Sequence, residues 1–384
     1  MKKIALVANT SWSMIKFRSG IIKRLIKEGY KLYVIAPYDH FANELEKMGC
    51  IYIDIPMNNK GTNIFADLLL LKRLYNLYKE LQPDLIFHYT IKPNIYGTLA
   101  AKKAGIKSIA IITGLGYTFI NDNVTAKAAK FLYKISLKHA TQVWFINIED
   151  KNKFLLYKLA PHEKIELLPS EGINVNYFKP VQLPKNDNNF RFILIARLLW
   201  DKGVGEYVKA AKELRKKYPH VKWQLLGFID AQNPKAISHE QVKFWEERGY
   251  VEYLGTTEDV RPYIAQADCV VLPSYREGMS MILLESASMA KPIIATNVPG
   301  CRDLVNHHVS GYLCNPKDYY DLMQKMEKML QSTPETRGKM GAFGREIIVS
   351  EYNEESVIEK YLLTIKSFLS EKSHFRLKCN DADR

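Results

Sequence analysis

Short apolar runs alternate with longer segments of mixed polarity along most of this chain. In the first half the runs at 4–8, 31–36, 51–55, 85–88, 108–112 and 142–146 read as strands. The segments at 15–28, 40–48, 64–81, 93–104 and 124–139 read as helices, and Gln82-Pro83 ends the long amphipathic one. Strands separated by helices of this length predict a parallel sheet covered on both faces. The pattern lapses over 168–189, where Gly172, Pro180, Pro184 and an Asn/Asp-rich stretch mark a linker. It restarts with predicted strands at 190–196, 222–226, 251–254, 268–272, 292–296 and 311–314. The intervening helices fall at 204–217, 239–248, 258–266, 279–289, 302–306, 319–331, 334–350 and 354–369. The fold class expected is α/β, with two doubly wound Rossmann-like domains facing across a cleft. The divisions expected are 1–175, 186–350, a C-terminal helix over 351–370 that is a candidate to cross back to the first domain, and a polar tail over 371–384. Ligands of such sheets bind beyond the carboxyl ends of the strands, so 9–12, 88–92 and 113–117 are expected along one rim.

The most informative chemistry lies between Pro273 and Thr296. Glu277 sits in the loop after a strand, Gly278 at the predicted junction with a helix, and Glu285 eight positions beyond Glu277. Backbone N–H groups near Gly278 and Met279, with the positive end of a helix dipole, suit a phosphate. Glu277 is within reach of a sugar hydroxyl and Glu285 of a ribose. Taken singly, each acid reads as a solvated surface charge. Glu285, however, stands in an otherwise apolar or small-residue helix, where a carboxylate needs a partner. Directly after the first strand of the second half, Arg197 and Lys202-Gly203 straddle a strand-to-helix turn. An arginine fork and a movable ammonium suit a diphosphate leaving group without a metal.

Net charge of +14 is unevenly spread: residues 1–180 hold 26 Lys+Arg against 14 Asp+Glu, and the remainder 29 against 27. A basic first half implies a large anion as partner, with nucleic acid, an anionic membrane and a lipid diphosphate all qualifying. Lys127, Lys130, Lys134 and Lys138 fall on one helix face near Phe131, Leu132 and Ile135. Together with Lys16, Arg18, Lys23, Arg24 and Lys27 they form a candidate surface for anionic lipid and for the diphosphate of an acceptor. Five cysteines show no CxxC or Cys/His metal spacing, which argues against a disulfide framework and a zinc site. No apolar run approaches about 18 residues, so no membrane span is expected. The opening Met1-Lys2-Lys3 runs straight into a strand, so no signal peptide is expected either.

Arg197 and Lys202-Gly203, followed by Glu277-Gly278 and Glu285, resemble the donor site of the family 4 retaining glycosyltransferases of GT-B fold. Gly172-Ile-Asn-Val-Asn-Tyr-Phe178-Lys-Pro180 is similar to that family's interdomain turn. The resemblance implies that Arg197 and Lys202 bind the donor diphosphate, Glu285 the ribose and Glu277 the transferred sugar. It implies also that His88 lies near that sugar, and that transfer occurs with retention and without a cofactor or metal. The stretches 196–203, 227–234 and Thr113-Gly-Leu-Gly116 resemble more narrowly the bacterial α-1,3-N-acetylgalactosaminyltransferases that extend undecaprenyl-diphosphate sugars. That likeness implies UDP-GalNAc as donor, a polyprenyl-diphosphate HexNAc as acceptor and a peripheral place on the cytoplasmic face of the bacterial inner membrane. In this reading the first domain takes the acceptor and faces the membrane, and the second takes the nucleotide-sugar. UDP-GlcNAc and UDP-Gal are alternative donors. Two departures are visible: the family's Gly-Gly after the first strand reads Asn9-Thr-Ser-Trp-Ser13, and its Gly-Gly before the last acidic turn reads Pro299-Gly300-Cys301.

A UDP-sugar epimerase of similar fold leaves the basic half unexplained. A nucleic-acid module lacks a recognised motif, so no nucleic acid is expected as partner. A dinucleotide oxidoreductase lacks GxGxxG after either first strand.

Overall fold

The computed structural model describes residues 1–58, 63–115, 124–181, 183, 187, 189–229 and 233–380, with the backbone alone for 124 and 371–380. Gly116 and Tyr117 of the expected rim, Pro184 of the linker, residues 230–232 and the last four residues of the tail lie outside the described residues. The chain forms two compact units, Met1–Gly172 with Glu354–Arg384, and Ile173–Asn353. The second unit thus starts earlier and ends later than the 186–350 expected from the linker composition.

In the first unit the chain runs β1 (Lys3–Val7), α1 (Ser11–Lys27), β2 (Lys31–Ala36), α2 (Ala42–Lys47), β3 (Ile51–Asp54), α3 (Ile64–Leu81) and β4 (Leu85–Tyr89). A π-helical turn, Pro93–Gly97, leads into α4 (Thr98–Lys103). Then follow β5 (Ser108–Ile112), α5 (Val124–Leu137), β6 (Gln142–Phe145), α6 (Ile148–Leu156) and β7 (Ile165–Leu167). The seven strands are parallel in the order β3-β2-β1-β4-β5-β6-β7. Helices on both faces explain why β4 and β5 are buried at every position. Helix α3 stops where Gln82 turns left-handed ahead of Pro83.

The second unit runs β8 (Phe190–Ile195), a short 3₁₀ turn Trp200–Lys202, α7 (Val204–Leu214), β9 (Val221–Leu226), α8 (His239–Glu247), β10 (Glu252–Tyr253) and α9 (Arg261–Gln266). It continues with β11 (Cys269–Leu272), α10 (Met281–Ser288), β12 (Ile293–Thr296), β13 (Gly311–Cys314), α11 (Tyr319–Gln331) and α12 (Pro334–Glu351). Its sheet is also parallel, in the order β10-β9-β8-β11-β12-β13. The predicted helix at 302–306 is a turn through residue 304 followed by irregular chain.

The last helix, α13 (Glu354–Asn380), belongs to the first unit. Arg24 of α1 reaches its Glu355 and Glu359 at 3.3 and 2.9 Å. Tyr361 packs its ring 5.0 Å from both Phe87 and Trp144, and its hydroxyl meets that of Tyr89 at 3.0 Å. These buried aromatics bind α13 far more firmly than the exposed ion pairs do.

Candidate active site

In the second unit β8 and β11 are neighbours in the sheet while the chain continues from each to opposite sides. Such a switch point opens a crevice beyond the strand ends. Residues 196–203 leave β8 there, and residues 273–280 leave β11.

Glycine geometry locks these two loops together. Gly203 has φ +72°, and a Cβ on it would lie 2.0 Å from the carbonyl oxygen of Pro273. Only glycine permits that approach. The loop after β11 is tied again where the Tyr275 N–H donates to the Asp201 carbonyl at 2.9 Å and the Tyr275 hydroxyl to Glu206 at 2.8 Å. On the other side Gly300, at φ +71°, would place a Cβ 2.6 Å from the carbonyl oxygen of Gly278. Its own carbonyl accepts the Ser280 N–H at 3.2 Å, and its N–H donates to Asp303 at 3.1 Å.

The result is a direct contact that residue spacing does not specify. Lys202 Nζ donates to Glu277 Oε1 at 2.5 Å, and Ser274 Oγ donates to the same oxygen at 2.7 Å. The Lys202 and Glu277 side chains keep 20% and 12% of their exposure. This pair is therefore sheltered yet partly accessible to water. Thr296 Oγ1 holds the Ser274 carbonyl from β12. Beneath the pair, burial pushes the Cys301 thiol pKa well up, so that sulfur stays a neutral packing group.

Arg197 stands exposed at the carboxyl end of β8. Helix α10 begins at Met281, not at 279, so Gly278 and Met279 belong to the loop. Its N-cap, Ser280, makes no side-chain capping bond. Glu285 shares the half-open face of α10 with Met281 and Ile282, while Leu283, Leu284 and residues 286–288 are buried.

Two expectations are overturned in the first unit. His88 is not at a strand end: β4 runs on to Tyr89, and the ring is fully buried. Its Nε2 meets the Tyr78 hydroxyl at 2.9 Å and its Nδ1 the Thr98 hydroxyl at 3.4 Å. Burial lowers its pKa to about 3, so the imidazole is neutral and sealed from substrate. Arg18 is likewise no surface cation. It lies buried on α1, 2.5 Å from Glu171, with its guanidinium 3.9 Å from the centre of the Tyr89 ring and a bond to the Ser13 carbonyl at 3.0 Å. Tyr361 of α13 helps to cover it by pairing with Tyr89. Lys16, Lys127 and Lys134 are exposed, and Lys130 is half-buried with its ammonium 4.6 Å from the centre of the Tyr157 ring.

Several polar groups escaped sequence reasoning. Ser274 and the Glu206–Tyr275 contact depend on loops far apart in the chain, and nothing local marks them. Thr90 follows β4 at φ +69°, and its hydroxyl is buried without a hydrogen-bond partner among the described residues. Asp67 had a legible signal, the same one as Glu285: a lone acid among apolar residues of a helix. It accepts from Lys92 Nζ at 2.5 Å and from the Tyr96 hydroxyl at 2.9 Å. No group of three metal-ligating side chains occurs among the described residues.

Residues 177–347 match the model for glycosyl transferases group 1, and residues 3–147 that for the glycosyl transferase 4-like family. The chain is 31% identical over 345 residues to the N,N'-diacetylbacillosaminyl-diphospho-undecaprenol alpha-1,3-N-acetylgalactosaminyltransferase of Campylobacter jejuni, covering 86% of this chain and 89% of that one. It is 25% identical over 280 residues to the UDP-Gal:alpha-D-GlcNAc-diphosphoundecaprenol alpha-1,3-galactosyltransferase of Escherichia coli, covering 69% and 70%. A glycosyltransferase structure from Rickettsia africae aligns with a TM-score of 0.78 at 21% identity, over 96% of this chain and 98% of the other. That likeness identifies the fold as GT-B.

Proposed function

Because the chain belongs to the glycosyltransferase group 1 family, we propose that it transfers GalNAc from UDP-GalNAc to an undecaprenyl-diphosphate-linked HexNAc, by an α-1,3 linkage, in bacterial surface polysaccharide or O-antigen synthesis. The observation that carries this reading is the Lys202–Glu277–Ser274 cluster at the β8/β11 switch point. A half-open ion pair can exchange partners. As donor arrives, Lys202 and Arg197 take the diphosphate, the backbone N–H groups entering α10 face a phosphate oxygen, and Glu277 turns to the sugar hydroxyls. Glu285 takes the ribose.

The acceptor hydroxyl oxygen forms the new bond to the anomeric carbon as the bond to the diphosphate oxygen breaks. UDP leaves, and its β-phosphate oxygen receives the acceptor proton on the same face, which gives retention. Fixed cations at the leaving group supply the charge stabilisation, so no metal is required. The buried His88 takes no part at the sugar. The acceptor is a membrane lipid, which puts the protein on the cytoplasmic face of the inner membrane. Among the described residues no helix is long and apolar enough to cross it. UDP-Gal and UDP-GlcNAc are the alternative donors, the first favoured by the name of the Escherichia coli relative.

The test is a screen of UDP-sugars against short-chain polyprenyl-diphosphate HexNAc acceptors. One UDP-sugar should be consumed in step with acceptor extension, and most of the rate should survive excess chelator. Failure of every donor on every acceptor sinks the lipid-linked reading. Complete loss of activity on chelation, restored by metal, sinks the cationic account of the leaving group.

A further inference from the structure

We propose that the first two turns of α3 insert into an anionic lipid bilayer and so fix the first unit on the membrane. The inference rests on the lipid-linked acceptor reading but concerns a different surface. Helix α3 buries one stripe against the core: Asp67, Leu70, Leu74 and Tyr78. The remainder of its length is not uniformly polar. Ile64, Phe65, Leu68 and Leu69 expose 72%, 83%, 55% and 46% of their surfaces. Four large apolar side chains thus stand in water within six positions, which a soluble helix face has no reason to keep. Beyond them the exposed face turns polar at once, with Lys72, Arg73, Asn76 and Lys79. An apolar tip followed by a basic collar matches a bilayer interface, hydrocarbon first and phosphate headgroups next.

The tip is held rigidly. Asp67, inside its first turns, is gripped by Lys92 at 2.5 Å and by Tyr96 at 2.9 Å, and both partners belong to the segment that follows β4. Helices α3 and α5 each pack on the π-helical turn 93–97, and each starts from the carboxyl edge of the same parallel sheet. Helix α5 also exposes Lys127, Phe131 and Lys134.

The experiment compares the intact protein with the Phe65→Ser/Leu68→Ser and Lys72→Gln/Arg73→Gln variants. Each is sedimented with phosphatidylglycerol/phosphatidylethanolamine vesicles and assayed on a water-soluble short-chain acceptor. Removing two exposed apolar anchors should cut vesicle partitioning by about tenfold or more. Turnover of the soluble acceptor should stay within about twofold, since neither residue is among those proposed to hold the donor. The Lys72→Gln/Arg73→Gln variant should lose the preference for phosphatidylglycerol. Vesicle binding unchanged in the Phe65→Ser/Leu68→Ser variant overturns the proposal. So does a dimer of the intact protein that this variant dissolves without vesicles. A failed donor screen would refute the proposed activity while leaving the vesicle result to stand or fall by itself.

Discussion

Compare the carboxyl edges of the two parallel sheets. At the β8/β11 junction two glycines let three loops touch, and the charges they gather, Lys202 and Glu277, stay partly in solvent. At the β1/β4 junction the charges sink inward. Arg18 meets Glu171 under cover, and His88 is sealed inside β4. The two ion pairs have the same N–O separation, 2.5 Å, and differ in their access to water. That difference decides their use. A half-open pair gives up a partner to an arriving ligand at small cost, whereas a buried pair cannot be parted without stranding a charge in a low dielectric. The first is therefore the one proposed as a site, and the second holds the fold together.

The largest expected effect tests the buried pair. Glu171→Ala should cost about 3–5 kcal/mol of stability by leaving Arg18 unpaired, while Arg18→Met with Glu171→Leu should recover most of the loss. Denaturant unfolding of the three proteins measures this, and an equal loss in the double variant would contradict it. Next comes the glycine contact on the other side of the comparison. Gly203→Ala forces a Cβ into the Pro273 carbonyl at a left-handed backbone position. A cost of at least about 2 kcal/mol is expected, together with weakened UDP binding by calorimetry. Unaltered UDP affinity would detach that turn from the site.

The open pair should show the reverse balance. Lys202→Ala and Glu277→Gln should each lower kcat/KM by about ten- to a hundredfold, equal to about 1.5–3 kcal/mol of charge-assisted hydrogen bonding, with small changes in melting temperature. A large melting shift with intact kcat/KM would make this pair structural as well. At neutral pH the smallest effect comes from His88, and it grows as the solution is acidified. The folded pKa of His88, about 3, lies below its ordinary 6.5. The folded protein therefore binds fewer protons than the unfolded chain between those values. Its contribution to stability is complete above pH 6.5 and lost as pH falls toward 3. The slope is up to about 1.4 kcal/mol per pH unit. Unfolding at a series of pH values should be steeper for the intact protein than for His88→Asn, and parallel curves would reject it.

The alternation of short apolar runs and longer helices was enough, by itself, to determine two parallel α/β sheets, because burial on both faces leaves a period that survives any tertiary detail. That Lys202 and Glu277 share one edge was legible for a similar reason: each follows a strand of the same parallel sheet, and strand-end loops of one sheet converge whatever lies between them. Which charges remain accessible was not legible. Covering Arg18 and Tyr89 takes Tyr361, which is 343 and 272 positions away in the numbering, and sealing His88 takes Tyr78 and Thr98 from two helices. The apolar end of α3 shows the converse. Its sequence reads as part of an amphipathic helix, and only the packing reveals that Ile64, Phe65, Leu68 and Leu69 face outward. Periodicity reports what a segment can bury; what covers it is decided by side chains distant in sequence, and their placement is a property of the folded whole.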